Sequence, residues 1–104
     1  MAIMREWRAE IRLELKDEYV AYVATTGIAG YKQAQGNLGA ILATRDIDAQ
    51  RAEIVTLSWW KDEDSIKLFA GAEINRARYY PEDDRFLLTR PETVRHYHST
   101  DPAI

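Results

Sequence analysis

From Met4 to Leu13 the chain alternates: Trp7, Ala9, Ile11 and Leu13 share one side, and Glu6, Arg8, Glu10, Arg12 and Glu14 share the other. A period of two is that of a strand, because successive side chains leave opposite faces of a pleated backbone. The spacing then changes. Tyr19, Val20, Tyr22, Val23 and Thr26 recur at steps of three and four, which predicts a helix over residues 17–26. Gly27 stands where a left-handed cap costs least, so the helix is expected to stop there and to give way to a loop holding Gly30, Tyr31, Gln33, Gln35 and Gly36. A second strand is predicted over 37–45, a turn over 46–50 and a third strand over 51–60, paired antiparallel because their connection is short. The third strand has an apolar side (Val55, Leu57, Trp59) and a mixed one (Ile54, Thr56, Ser58, Trp60). The mixed side is the better wall for a ligand cavity, since pockets join apolar surface to a few polar groups.

Beyond Trp60, Asp62 and Asp64 are both candidate N-caps for a helix carrying Ile66, Leu68, Phe69 and Ala70, and Gly71 ends it. A short helical piece is expected from Asn75 to Tyr80, halting before Pro81, with another turn or two of helix over 82–88. A last strand over 93–99 leads into a tail, 100–104, expected to be loose. The order strand, helix, strand, strand, helix, strand predicts an α+β, ferredoxin-like βαββαβ fold with a four-stranded antiparallel sheet and helices on one face. Apolar residues on both faces of the middle strands call for a second copy over the open face, hence a homodimer.

The chain has 104 residues, the size of one domain, and 1–104 is read as a single unit. Its net charge is −3, and the basic residues are interleaved with acidic ones, so no stripe for nucleic acid forms. With no cysteine, disulfides, thiolate metal sites and cysteine nucleophiles are excluded. Charges at Arg5 and Glu6 interrupt the start, and no run approaches the ~20 apolar residues of a membrane span. The expected location is cytoplasmic.

Several residues are candidates for chemistry. Trp60 is expected to point into the cavity beside Ser58, with Phe69 lining it from the second helix. Tyr79 and Tyr80 diverge by about 100° if helical, and Tyr79 is taken as the one nearer the cavity, with Tyr80 as core support beside Pro81. Arg78 and Arg8 are candidates for a ligand carboxylate, against ion pairs with Glu82, Glu6 or Glu10. His96 and His98, two apart, share a strand face, a spacing that can chelate a metal if Glu10 or Glu14 adds a third ligand. His96 alone suits a different task, proton removal from an acidic phenol, because imidazole titrates near neutrality.

Five pieces in order carry a resemblance over nearly the whole chain. They are the Tyr19-Val20-Ala21-Tyr22 helix running to Gly30, the Ser58-Trp59-Trp60 strand end, Phe69-Ala70-Gly71, Ala77-Arg78-Tyr79-Tyr80-Pro81-Glu82-Asp83 and the closing His96-Tyr97. The chain resembles the antibiotic biosynthesis monooxygenase-like branch of the dimeric α+β barrel superfamily. The resemblance implies a homodimer whose sheets join as a barrel, with a cavity in each protomer that oxygenates electron-rich aromatic molecules without metal or flavin, or degrades haem. Haem-degrading relatives use an asparagine on the first strand, a tryptophan on the second helix and an axial histidine ten residues later. Aligned through Trp60, those places hold Trp7, Phe69 and Tyr79, so haem degradation is disfavoured. The quinone-forming relatives use an asparagine and a tryptophan beside the phenol, and neither Asn37 nor Asn75 maps onto that role. The implied function is a cofactor-independent monooxygenase-like protein binding a small aromatic or apolar ligand, with His96 as base and Trp7, Ser58, Trp60, Phe69 and Tyr79 around the ring. No metal or other cofactor is expected. The alternative is a non-catalytic dimeric ligand-binding or stress-associated module.

Overall fold

The first strand begins before the alternation does. In the computed structural model, which describes residues 2–100, β1 runs Ala2–Arg12. β2 spans Asn37–Asp46, β3 Arg51–Trp60 and β4 Arg95–Ser99. They form one antiparallel sheet in the order β2-β3-β1-β4, the α+β ferredoxin-like arrangement expected from the element order. Register fixes the faces. Trp7 lies opposite Thr56, Ala9 opposite Ile54 and Ile11 opposite Ala52, while Ala40 lies opposite Ser58. All of these are buried beneath the helices, where Tyr19, Val23, Ile28, Tyr31, Ile66 and Phe86 complete the core.

The other face carries Met4, Ile41, Ala43, Val55, Leu57, Trp59 and Tyr97 at one end. At its other end Arg8 pairs with Glu6 and Glu53, and Arg45 also reaches Glu53. Among the described residues no helix covers this face, and Ile41 and Tyr97 remain 39% and 41% exposed. Arg8 is thus held by carboxylates on the open face, in keeping with the ion-pair account.

The helix after β1 does not stop at Gly27. α1, Lys16–Val23, passes through a π-helical turn, Ala24–Ile28, directly into α2, Ala29–Gln33. Gly27 is not among the glycines with positive φ, so it does not act as a left-handed cap. Two forces override the local signal. Thr25 and Thr26 both donate their hydroxyls to the Tyr22 carbonyl, satisfying an acceptor that the widened turn loosens. Continuation also buries Ile28 and Tyr31, at roughly 1.5–3 kcal/mol for a large apolar side chain, which exceeds the ~1 kcal/mol cost of an interior glycine.

α3, Glu63–Ala70, starts at Asp62, whose carboxylate accepts from the Ser65 backbone N–H and hydroxyl at 2.8 and 2.6 Å. It ends at Gly71, whose φ of 90° suits glycine. The segment 75–80, expected to be helical, forms no helix: Asn75 closes a turn, Arg76 bridges to Thr93 and 77–80 have no regular structure. Ala77 donates to the Glu92 carbonyl and Val94 donates to that of Asn75, so a short pairing with the approach to β4 wins over local helical spacing. α4 is a single turn, Asp83–Phe86. The loose tail expected over 100–104 falls, apart from Thr100, outside the described residues.

Candidate functional site

A cavity lies between the helix-facing side of the sheet and the long helix. Its floor is Arg5, Trp7 and Thr56, its roof Tyr19, Val23, Thr26 and Tyr31 with the bare backbone of Gly27. Phe69, Arg78, Tyr80, Asp83 and Val94 complete its lining. The walls are aromatic by design of the packing: Tyr31 sits 5.0 Å from Phe69, and both rest on Trp60. Gly30 allows the mouth to close this tightly, since a Cβ there would lie 2.8 Å from the Tyr80 hydroxyl. Space for water-sized molecules inside is about 30 Å³, enough for roughly one or two waters and too little for an aromatic ring.

The exposed part of the mouth is one side chain. Arg78 lies over Phe69 at 4.7 Å and over Tyr80 at 5.5 Å, and donates from Nη1 to the Phe69 carbonyl at 2.9 Å. Its guanidinium is solvent-exposed and is not in an ion pair with Glu82, so displacing it breaks one hydrogen bond and two cation–π contacts worth roughly 0.5–1 kcal/mol each at such a site.

Arg5 is the opposite case. It is 1% exposed and sits on the parity of Trp7, Ala9 and Ile11, facing the core. Its Nη1 donates to the Ile74 carbonyl at 2.5 Å and to His96 Nε2 at 3.0 Å, and its Nη2 donates to the Arg76 carbonyl at 3.1 Å. The turn over 73–76, closed by the Arg76 N–H donating to the Glu73 carbonyl, and the bridge from Arg76 to Thr93 hold these carbonyls at Arg5. Burial pushes the guanidinium below its ordinary pKa, with the nearby Tyr31 phenol acting in the other direction. Nε, also buried, meets no acceptor.

His96 stands behind Arg5, opposite it in the β1–β4 ladder, and is not part of the cavity wall. A guanidinium only donates, so His96 Nε2 accepts and the proton is on Nδ1, which donates to Asn75 Oδ1 at 3.1 Å. Burial, then the Arg5 charge, lowers the imidazole pKa. Both ring nitrogens of a neutral imidazole are therefore engaged. Asp83 is similarly occupied: Oδ1 accepts from the Tyr19 hydroxyl at 3.0 Å and Oδ2 from the Tyr80 N–H at 2.6 Å. Burial and then Asp83 hold the Tyr19 phenol far above its usual pKa, so it remains a donor.

The expected site residues separate into groups. Trp7 and Phe69 line the cavity. Trp60 and Ser58 lie one layer deeper, 0% and 1% exposed, with the indole N–H bonded to the Ser58 hydroxyl at 2.9 Å. Thr56 takes the place on the wall expected for Ser58. The tyrosine pair is reversed: Tyr80 lines the cavity, while Tyr79 accepts from Trp7 Nε1 and donates to the Pro91 carbonyl. Tyr79 faces instead an open groove of about 510 Å³ among Glu73, Arg76, Arg90 and Glu92. The reversal accompanies the loss of the helix expected over 75–80, whose helical spacing had assigned the two rings. The candidate chelate of His96 and His98 with Glu10 or Glu14 does not form, since His96 is on the helix face, Glu10 on the open face, and Glu14 in a turn past the end of β1, while β4 pairs only with Ala2–Glu6. Among the described residues no three potential ligands gather.

Arg5, Tyr31 and Asp83 are the site residues that sequence reasoning missed. The signal for Arg5 was available: it is the one charge on the apolar parity of β1.

No family model matches this sequence, and no curated protein matches it. Among solved structures it is similar to a crystal structure of a Bacillus cereus protein proposed to be an antibiotic biosynthesis monooxygenase. The TM-score is 0.66, the identity 13%, and the alignment covers 98% of each chain. This likeness shows the fold. It agrees with the fold that the resemblance implied.

Proposed function

We propose that the protein is a monooxygenase-like enzyme that admits a small aromatic molecule to the cavity between sheet and helices and oxygenates it without metal or flavin. The observation carrying this reading is the aromatic enclosure of Trp7, Tyr31, Phe69 and Tyr80 around polar groups supplied by Arg5 and Thr56. A ring enters when Arg78 and the rings beneath it swing aside, because ligand cavities are typically ~300–1,000 Å³ and this one is nearly filled. A phenol that loses its proton can pass an electron to dioxygen. In the complete reaction one oxygen atom enters the ring, the other leaves as water, and the substrate supplies all four electrons as it becomes a quinone. Trp7 and Phe69 orient the ring. His96 acts as a positioning residue, holding Arg5 through Nε2, and a base role for it requires Arg5 to move away. The uncovered apolar half of the sheet, Met4, Ile41, Leu57 and Tyr97, is the surface against which a second copy docks.

A second reading, a non-catalytic ligand-binding module, draws on one observation: the two acid–base candidates nearest the cavity, Asp83 and His96, already have their polar atoms engaged. An oxygen electrode separates the two readings. Uptake of oxygen with a phenol that demonstrably binds, together with a quinone product by mass spectrometry, supports the enzyme; binding without uptake across a phenol series supports the module.

A further inference from the structure

We infer that the natural ligand of the cavity is an acid, a small aromatic or conjugated molecule whose anionic oxygen docks on the Arg5 guanidinium at Nε. The inference deepens the proposed function and rests on the cavity being the ligand site. Its starting point is a charge that nothing balances. Arg5 is buried, its partners are two carbonyls and an imidazole, and among the described residues it joins no ion pair. Neutral acceptors orient a guanidinium without cancelling its charge, and an uncompensated buried ion is costly to hold. Such a site is worth keeping when the missing anion arrives with the ligand.

The surroundings agree. Asp83 is the one carboxylate among the described residues of the cavity wall, and the Tyr19 hydroxyl and Tyr80 N–H already occupy its oxygens. Tyr31 in the roof and Thr56 in the floor, their hydroxyls 3.5 Å apart, line the same cavity as Arg5 and offer second donors to an anionic oxygen there. At the mouth Arg78 adds a second positive charge, which favours the approach of anions. A carboxylate and an ionised phenol present the same anionic oxygen here, and a phenol is the probe that reports its own ionisation.

The test is a titration of 4-nitrophenol, whose phenolate is yellow and whose neutral form is not, in the presence and absence of the protein. The expected result is a bound phenol whose pKa lies about one unit or more below its free value, equivalent to phenolate binding about tenfold or more tighter than phenol. In Arg5→Met the shift disappears, in Arg5→Lys part of it remains, and in Arg78→Ala most of it remains. Binding with an unshifted pKa in the wild-type protein overturns the inference and leaves the cavity as a ligand site. A shift that survives Arg5→Met, or that vanishes only in Arg78→Ala, also overturns it. If neither form of the probe binds, the cavity reading itself fails and takes the inference with it. Circular dichroism establishes that each variant is folded. The wild-type titration with Arg78→Ala decides the matter even if Arg5→Met does not fold.

Discussion

Replacing Gly36 with alanine should unlock the corner that aims α3 at the cavity. Gly36 has φ +84°, and an added Cβ would lie 2.0 Å from the Ser65 Oγ and 2.5 Å from the Ser65 Cβ. Ser65 cannot yield, because it is buried and both its N–H and hydroxyl are tied to Asp62. The left-handed backbone alone costs roughly 1–2 kcal/mol for a residue with a Cβ, and the forced overlap adds about 1–3 kcal/mol. The sum is about 2–5 kcal/mol, a large part of the ~5–15 kcal/mol that holds a typical domain. For a domain near 100 residues it should lower Tm by roughly 10 °C or more. Urea unfolding followed by tryptophan fluorescence measures the loss at constant m. The double variant Gly36→Ala with Ser65→Gly should recover the overlap and not the backbone cost, so the pair couples by about 1–3 kcal/mol. A loss below ~1 kcal/mol for Gly36→Ala, or strict additivity with Ser65→Gly, would refute the account of this corner. Phe69 lies on the same helix, so the variant should also weaken any ligand that stacks on it.

The imidazole of His96 has a folded pKa below the ordinary 6.5, so the unfolded chain binds its proton first and the residue's share of stability, complete above about pH 6.5, falls away as the medium is acidified through the lowered value. Urea midpoints measured from about pH 8 down to pH 5 should drop less steeply in His96→Gln than in the wild-type protein; parallel curves would show that His96 is not the group responsible. On the open face, Ile41→Glu places a charge in the proposed contact between copies and should turn a dimer into a monomer by native mass spectrometry, and a wild-type protein that is already monomeric removes that proposal.

Much of this fold is legible residue by residue. β3 occupies the span its composition predicts, the Asp62 cap and the Gly71 stop lie where a free carboxylate and a side-chain-free residue are cheapest, and the element order gives the sheet. Those features depend on local chemistry. The losses occurred where distant contacts outweighed local signals. Gly27 signals a stop, but the burial of Ile28 and Tyr31 carries the helix onward. Asn75 to Tyr80 has helical spacing, but Asn75 to Ala77 pair with Glu92 to Val94 instead, and Tyr80 rather than Tyr79 lines the cavity. For the candidate site, Trp7 and Phe69 line the cavity as expected; Arg5 announced itself only by its parity, since its partners, two carbonyls and the distant His96, leave no local sequence pattern.

The π-helical turn at Ala24–Ile28 sets more than the length of the helix. One residue more or fewer in a helix rotates everything downstream by about 100°, so a chain shortened by a single residue there would keep α1 in place and carry Tyr31 off the roof of the cavity. Strand pairings elsewhere would not notice. The lining of this cavity can therefore drift by insertion and deletion within one helix while the sheet stays fixed, a step that substitution alone would need several coordinated changes to match.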